Sequence, residues 1–290
     1  DHTTERAEAW LQRAAESGAP FFLFVHYFDP HLSYDPPEPW RSRFVQDRPA
    51  TPQGDGVDLD LGIRWYDGEI AFVDAQLGHL LATLDALGLR QSTLVVVSAD
   101  HGEGLMDHGV LTHAIQLYEE AVRVPLVLRW PGVLPEGRVI DDPVALSDLV
   151  PTLLELLGVP AQAAHFDGVS LAGALTRNER LSAERPIFLR RRNYERQRIG
   201  KLGQVWVEGA LYGLRLGRWK YIEATADGSR ELYDLEADPR ETYNRVDEQP
   251  AVAAALAERL ARWRDAARAE PEASLDPEAR EALRALGYAQ

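Results

Sequence analysis

The stretch that most constrains this chain is Thr93-Leu94-Val95-Val96-Val97-Ser98-Ala99-Asp100-His101-Gly102-Glu103-Gly104, an apolar run that stops abruptly in Asp-His-Gly. β-Branched residues bounded by polar and glycine signals read as a strand buried on both faces, as in parallel sheets. In open α/β sheets, sites form outside the carboxyl ends of such strands. Asp100 and His101 stand at that place, which points to a metal or acid/base site. A carboxylate oxygen beside an imidazole nitrogen suits zinc, manganese or similar ions, whereas calcium favours oxygen shells. The competing reading is a capped strand end with a solvated histidine.

Upstream, residues 5–17 read as a helix with Thr3 or Thr4 at its cap and Gly18 at its end. Phe21-Phe22-Leu23-Phe24-Val25 is a second apolar strand ending at His31, a histidine placed to contact an anion or protonate a leaving group. His113 offers the same chemistry. For both, a structural histidine is the competing reading. His108 is weaker, and His26 reads as strand packing. Residues 35–62, with prolines at 36, 37, 39, 49 and 52, read as a lid, a binding loop or a tolerated insertion. Ile63, Tyr66, Ile70, Val73, Leu77, Leu80, Leu84 and Leu87 then repeat at helical spacing, the stripe of a helix lying on a sheet.

The order helix-then-strand predicts crossover units and a parallel sheet. A short helix is expected at 116–121, a third strand at 125–130 and a helix at 148–157 with Asp148 near its cap. From about residue 185 short segments alternate with glycine turns, among them a hairpin connection at Leu216-Gly217-Arg218-Trp219. Helices over 250–268 and 277–286 are expected to finish the chain. The predicted organisation is an α/β part over 1–184 with a largely parallel sheet flanked by helices. A smaller α+β part of antiparallel strands and terminal helices covers 185–290. Its tyrosines and tryptophans read as core. The basic cluster Arg190, Arg191, Arg192, Arg196, Arg198 and Lys201 reads first as a solvated loop, second as an attractor of anions.

Composition excludes several classes. A net charge of −15 over 290 residues disfavours a nucleic-acid partner. No apolar run approaches the roughly 18 residues of a transmembrane helix. The absence of cysteine removes disulfides, thiolate metal sites and a cysteine nucleophile from this chain.

Taken together, several strings resemble the sulfatase family of the alkaline phosphatase superfamily. They are Phe21–His31 with Tyr34-Asp35-Pro36-Pro37, Tyr66-Asp67-Gly68-Glu69-Ile70 with Val73-Asp74, and Ser98-Ala99-Asp100-His101-Gly102-Glu103. Leu117-Tyr118-Glu119-Glu120, Arg123-Val124-Pro125-Leu126 and Trp130-Pro131-Gly132 continue the likeness. Leu214-Arg215, Trp219-Lys220-Tyr221, Leu232-Tyr233-Asp234-Leu235 and Asp238-Pro239 resemble that family's small C-terminal subdomain. The resemblance implies an alkaline phosphatase-like fold and hydrolysis of a sulfate ester at a divalent metal, calcium first, with manganese, magnesium or zinc as alternatives. It assigns Asp100 and His101 as metal ligands, His31 to the sulfate and the leaving group, and His113 to a position near the sulfate. The substrate implied is a sulfated small molecule or glycan, and the implied location is periplasmic or extracellular; oligomeric state stays open.

The family's first-strand Asp-Asp pair and its Cys/Ser-x-Pro-x-Arg motif, source of the formylglycine nucleophile, have no counterpart here. The expectation is therefore the C-terminal portion of a sulfatase, inactive alone, with formylglycine upstream of Asp1. Two alternatives stand beside it. One is a phosphodiester or phosphonate monoester hydrolase on the same scaffold, which a histidine at 101 also suits. The other is a binding protein that keeps the scaffold without the nucleophile.

Overall fold

The computed structural model describes residues 1–45, 59–160, 165–199, 205–269 and 281. The chain opens with α1 (His2–Ser17). Asp1, rather than Thr3 or Thr4, caps it: the Thr3 amide donates to Asp1 Oδ1 at 3.1 Å. Thr4 is already inside the helix, buried, with its hydroxyl 3.0 Å from the Tyr27 hydroxyl. Gly18, at φ 63°, closes the helix in the left-handed conformation that glycine adopts without penalty.

Ala7 and Leu11 of α1 pack on Leu80 and Leu84 of the long helix α3 (Leu59–Ala86), with Trp10, Phe21, Leu23, Val25 and Val95 around them. The period read from the sequence thus covers a real contact face at its C-terminal half. Nearer the N-terminus the stripe is interrupted, since Ile70 is exposed while Glu69 and Gln76 are buried. A shorter helix, α2 (Trp40–Phe44), interrupts the proline-rich stretch and packs Trp40 on Phe72 of α3, ring centroids 5.0 Å apart. The remainder of the expected lid, residues 46–58, lies outside the described residues.

The strand expected at 21–25 pairs with no other strand among the described residues. Its side chains alternate, with Phe21, Leu23 and Val25 against the helices and Phe22, Phe24, His26 and Phe28 exposed. His26 is therefore not strand packing, and one face of this segment is bare. Downstream, β1 (Val95–Ser98) pairs with β2 (Leu126–Arg129), but antiparallel, with Val96 opposite Leu128. Parallel pairing was the expectation and is absent among the described residues. A parallel return needs a long crossover, usually a helix. Here residues 99–125 are taken up by loops and by the four-residue α4 (Glu119–Val122), so the chain doubles back instead. The expected helix at 148–157 is α5 (Leu149–Leu156). Asp148 does not cap it with its side chain; fully buried, it accepts from the Ala145 and Val169 amides and pairs with Arg185 at 2.8 Å. The five-residue α6 (Ala172–Thr176) follows.

The C-terminal part is an antiparallel sheet in the order β3 (Ile187–Ile199), β4 (Val205–Leu216), β5 (Trp219–Ala224), β6 (Arg230–Asp234). The β4–β5 connection falls at Gly217, φ 56°, as the turn pattern predicted. α7 (Pro250–Ala269) covers one face, placing Ala253, Leu256 and Leu260 on Leu214, Tyr221 and Leu232. The aromatic residues of this part are largely core, with two exceptions among the described residues: Trp206 is 61% exposed and Tyr243 53%. The arginine cluster is also not a loop, because Arg190 to Arg198 lie on β3 and Arg191 is buried. Lys201 and the helix expected at 277–286, residue 281 apart, fall outside the described residues. No helix among the described residues is long and apolar enough to cross a membrane.

Candidate active site

Four segments converge at the carboxyl end of β1. The backbone leaves the strand at Ser98, and the Gly102 amide donates to Ala121 O at 2.8 Å, which docks Asp100–Gly104 against α4. The glycines of this stretch are needed for close approach: a Cβ on Gly102 would lie 2.0 Å from Glu120 O, and one on Gly104 would lie 2.2 Å from Val110 O. The loop then doubles back, Leu105 N to Leu111 O at 3.0 Å and Met106 N to Val110 O at 2.9 Å. Leu105, Met106 and Ala114 adopt positive φ (43°, 70° and 67°), strain tolerated where the surroundings hold the chain firmly and often found at functional sites.

This path brings three histidines together. The His101 and His113 rings stack with centroids 3.9 Å apart at 22°, and the His31 ring meets His113 edge-on at 5.3 Å. Phe28 covers the other side of His31 at 4.3 Å. Three of the four residues singled out from the sequence thus form one cluster. The fourth, Asp100, adjoins it: its Oδ2 lies 3.6 Å from His101 Nε2, and the residue is half exposed. One small cation could be shared by those two atoms. No group of three or more metal-ligating side chains occurs among the described residues. The pair therefore fits part of a metal shell, and the remaining ligands would come from elsewhere.

Each imidazole is oriented. His101 Nδ1 lies 2.8 Å from Gly102 O and His31 Nδ1 lies 2.7 Å from Leu32 O, so in the neutral rings Nδ1 carries the hydrogen. His113 Nδ1 faces the buried Glu103 carboxylate at 3.2 and 3.3 Å, which likewise leaves Nε2 for a substrate. Glu103 accepts in addition from the Tyr34 hydroxyl at 3.0 Å, and burial together with that carboxylate pushes the Tyr34 phenol up, so it stays a neutral donor. Tyr34 packs edge-on against Tyr66 of α3 at 5.4 Å.

Glu69, part of the family-like string on α3, has a role the sequence does not disclose. Its carboxylate accepts the His31 amide at 3.1 Å and the Asp35 amide at 2.6 Å, which clamps the ends of the turn that carries His31. Gly68 lets Pro36 close against α3; a Cβ there would stand 2.9 Å from the proline ring. No local signal marks it in the sequence, since Glu69 stands beside the apolar stripe and not on it. Burial, opposed by the His31 amide and helped by Asp29, raises Glu69 from 4.5 to about 8. An acid whose pKa is higher folded than unfolded binds its proton more tightly in the fold. Its contribution is therefore complete below about pH 4.5 and is lost as pH rises to about 8. Urea unfolding midpoints should fall across that window, and the fall should flatten in Glu69→Gln. An unchanged slope in the variant would refute the assignment.

His108, given little weight from the sequence, is structural. Its Nδ1 lies 2.8 Å from Glu120 Oε1, its Nε2 lies 3.2 Å from Glu241 O, and its ring stacks on Tyr118 at 3.8 Å.

With the geometry in hand, comparison with known proteins is informative. A family model described as "Sulfatase" matches residues 1–159, and one described as "N-sulphoglucosamine sulphohydrolase, C-terminal" matches residues 107–266. Arylsulfatase K of Mus musculus is 31% identical over 202 residues, 68% of this chain and 34% of that protein. The Delta 4,5-hexuronate-2-O-sulfatase of Bacteroides thetaiotaomicron is 31% identical over 193 residues, 65% of this chain and 37% of its own length. Among solved structures, the phosphonate monoester hydrolase of Agrobacterium radiobacter superposes with a TM-score of 0.73 at 25% identity, covering 91% of this chain and 60% of that one. The likeness bears out the alkaline phosphatase-like α/β fold class. The chain spans about a third of the length of the sequence relatives it matches.

Proposed function

The chain belongs to the sulfatase family, and we propose that it supplies the leaving-group side of a site that hydrolyses sulfate esters, completed by polypeptide outside these residues. The observation that carries this reading is the contact of His31, His101 and His113 at the end of β1, each turned by a fixed partner on Nδ1. With Nδ1 partnered in each ring, the Nε2 atoms of His31 and His113 are left for a sulfuryl oxygen and the departing alcohol, and that of His101 is left for a cation.

Asp100 and His101 would hold a divalent cation, calcium first, with manganese, magnesium or zinc as alternatives. When bound, such an ion supplies positive charge to the sulfuryl oxygens. His31, when it carries a hydrogen on Nε2 as well as on Nδ1, gives that proton to the leaving oxygen and is left as the neutral ring; His113, doubly protonated against the Glu103 carboxylate, donates from Nε2 to a sulfuryl oxygen. The nucleophile is assigned to a formylglycine outside this chain, which has neither cysteine nor a Ser-x-Pro-x-Arg string. The bare row Phe22, Phe24 and Phe28, exposed by 80%, 76% and 65%, supports the same reading. Burying each phenylalanine is worth about 1.5–3 kcal/mol, so such a face favours a covering layer.

A second reading, a phosphonate monoester hydrolase, is favoured by the superposition on the Agrobacterium radiobacter enzyme. Paired assays separate the two. Residues 1–290 alone should show no turnover of 4-nitrophenyl sulfate with any divalent metal. A longer form that includes the upstream coding sequence should hydrolyse it and prefer it to a phenylphosphonate ester. Metal-dependent turnover by residues 1–290, or the reverse preference in the longer form, would overturn the proposal.

A further inference from the structure

The β3–β4 hairpin extends beyond the rest of its sheet. Strand β5 pairs with β4 only from Leu211 to Leu216, whereas β3 and β4 remain paired out to Ile199 and Val205. The outer part is a two-stranded arm with distinct faces. Its inner face seats Tyr194 and Val207 on Ile115 and Val110, with the Tyr194 hydroxyl donating to Ala114 O at 3.4 Å. Buried Arg191 reinforces the seat by donating to Ile115 O at 3.3 Å. The arm is thus fastened to the residues that directly follow His113.

Its outer face differs in kind. Arg198 stands opposite Trp206 in the register, and Arg196 lies two residues along on the same side. Both guanidinium groups approach the Trp206 ring, at 5.1 Å for Arg196 and 5.6 Å for Arg198. Trp206 is nevertheless 61% exposed. Neutralisation is slight: Arg196 reaches Glu208 only at 3.9 Å, and Arg198 has no ion pair among the described residues. Arg192, Arg196 and Arg198 of the outer part of β3, against Glu195 and Glu208, leave this arm positive on balance in a chain of net charge −15.

Two cations flanking an open indole form a surface that a solvated face does not require. Guanidinium forks bind sulfate and carboxylate bidentately, and an aromatic face accepts the apolar side of a sugar ring. We infer that the outer face of the β3–β4 arm is a binding site for an anionic saccharide chain, with sulfate or carboxylate groups on Arg196 and Arg198 and a sugar ring on Trp206. The choice of saccharide over another polyanion rests on the sulfate-ester reading of the neighbouring histidine cluster. The arm would hold a polymeric substrate at the loop that carries His113.

Isothermal titration of the purified protein with a heparin-derived hexasaccharide, at about 0.15 M salt, tests this directly. The Arg196→Ala/Arg198→Ala variant should lose about tenfold or more in affinity, the value of one charge-assisted hydrogen bond, and Trp206→Ala should also bind more weakly. All three positions face solvent, and circular dichroism checks that the sheet is retained. Maltohexaose, which is neutral, and a short oligothymidylate should bind far more weakly than the sulfated hexasaccharide. No binding of the hexasaccharide, unchanged affinity in the variants, or equal binding of the oligothymidylate would overturn the inference. Sulfate-ester turnover by the longer form is read separately. Turnover with an inert arm refutes the arm alone, and arm binding without turnover refutes the hydrolase reading alone.

Discussion

Replacing Lys220 with methionine should destabilise the protein by about 3–5 kcal/mol, the usual cost of leaving a buried charge unpaired. Lys220 lies on β5 with no exposed side-chain surface, its Nζ 3.0 Å from Glu119 Oε1 and 2.8 Å from Glu241 Oε1. Glu241 is equally buried and also accepts the Glu119 amide at 2.5 Å. Without the ammonium, two carboxylates would share a dry site. Burial already pushes Glu241 above the ordinary carboxylate range, and Lys220 opposes that shift. Removing the lysine should raise it further, so the variant's deficit should be largest at neutral pH and shrink as pH falls and the carboxylates take up protons. Urea midpoints from pH 4 to 8 give the measurement. Lys220→Met/Glu241→Gln should recover much of the loss at neutral pH. A single variant within about 1 kcal/mol of the parent would show that the triad carries little of the junction.

That junction connects stability to the site. Glu241 anchors the first amide of α4, and α4 receives the Gly102 amide through Ala121 O. The Asp100–Gly104 segment is thereby braced from the C-terminal sheet. Arg240 adds an exposed pair to Asp107 at 3.3 Å, worth little by itself. A loosened Lys220 should therefore disturb the His101–His113 stack as well as the fold.

How much of this was legible in the sequence follows from the range of the forces involved. Local period and turn chemistry exposed β1, α3, α7 and the Gly217 turn, because each depends on residues near one another in the chain. The strand-end rule and the family strings together selected His31, Asp100, His101 and His113, which the fold brings to one place. The partners that orient them were not legible as such. Glu69 meets the His31 and Asp35 amides from another element, and Lys220 meets Glu119 across about a hundred residues. Nothing in the immediate context of Glu69, Glu103 or Lys220 announces burial. Strand β3 was misread for a related reason: its arginines carry no alternation, and its pairing is dictated by β4. Phe21–Val25 shows the opposite error, since an apolar run announces a strand, but hydrogen bonding requires a neighbour.

The remaining large effect concerns chemistry, and the two histidines facing the sulfuryl group should separate by leaving group. In a longer form that completes the proposed site, His31→Ala should lower kcat/KM on an alkyl sulfate by about 10²–10⁴, the usual contribution of a positioned proton donor. On 4-nitrophenyl sulfate the loss should be much smaller, because nitrophenolate departs without a proton. His113→Ala should lower both substrates to a similar degree, since a group that binds a sulfuryl oxygen acts whatever the leaving group is. Glu103→Gln tests the support behind it. The amide keeps the shape of the Tyr34 and His113 contacts but can present its NH2 group where an acceptor is required, so the imidazole loses its fixed tautomer. That variant should follow the His113→Ala pattern at reduced amplitude, with equal losses on the two esters. Equal losses in His31→Ala, or a leaving-group dependence confined to His113→Ala, would exchange the two roles. The exchange has a structural route, because the His31 and His113 rings are in contact and each has Nδ1 partnered, so that Nε2 is the nitrogen left on both. What favours the stated assignment is the difference in their supports. Glu103 is buried and shared with Tyr34, which suits a fixed contact to charge, whereas the Nδ1 partner of His31 is an uncharged backbone carbonyl, Leu32 O, on a turn that Glu69 clamps through its amides. A carboxylate partner holds the positive form of a ring in place, whereas a proton donor must give that charge up, and His31 is the ring without a carboxylate on Nδ1.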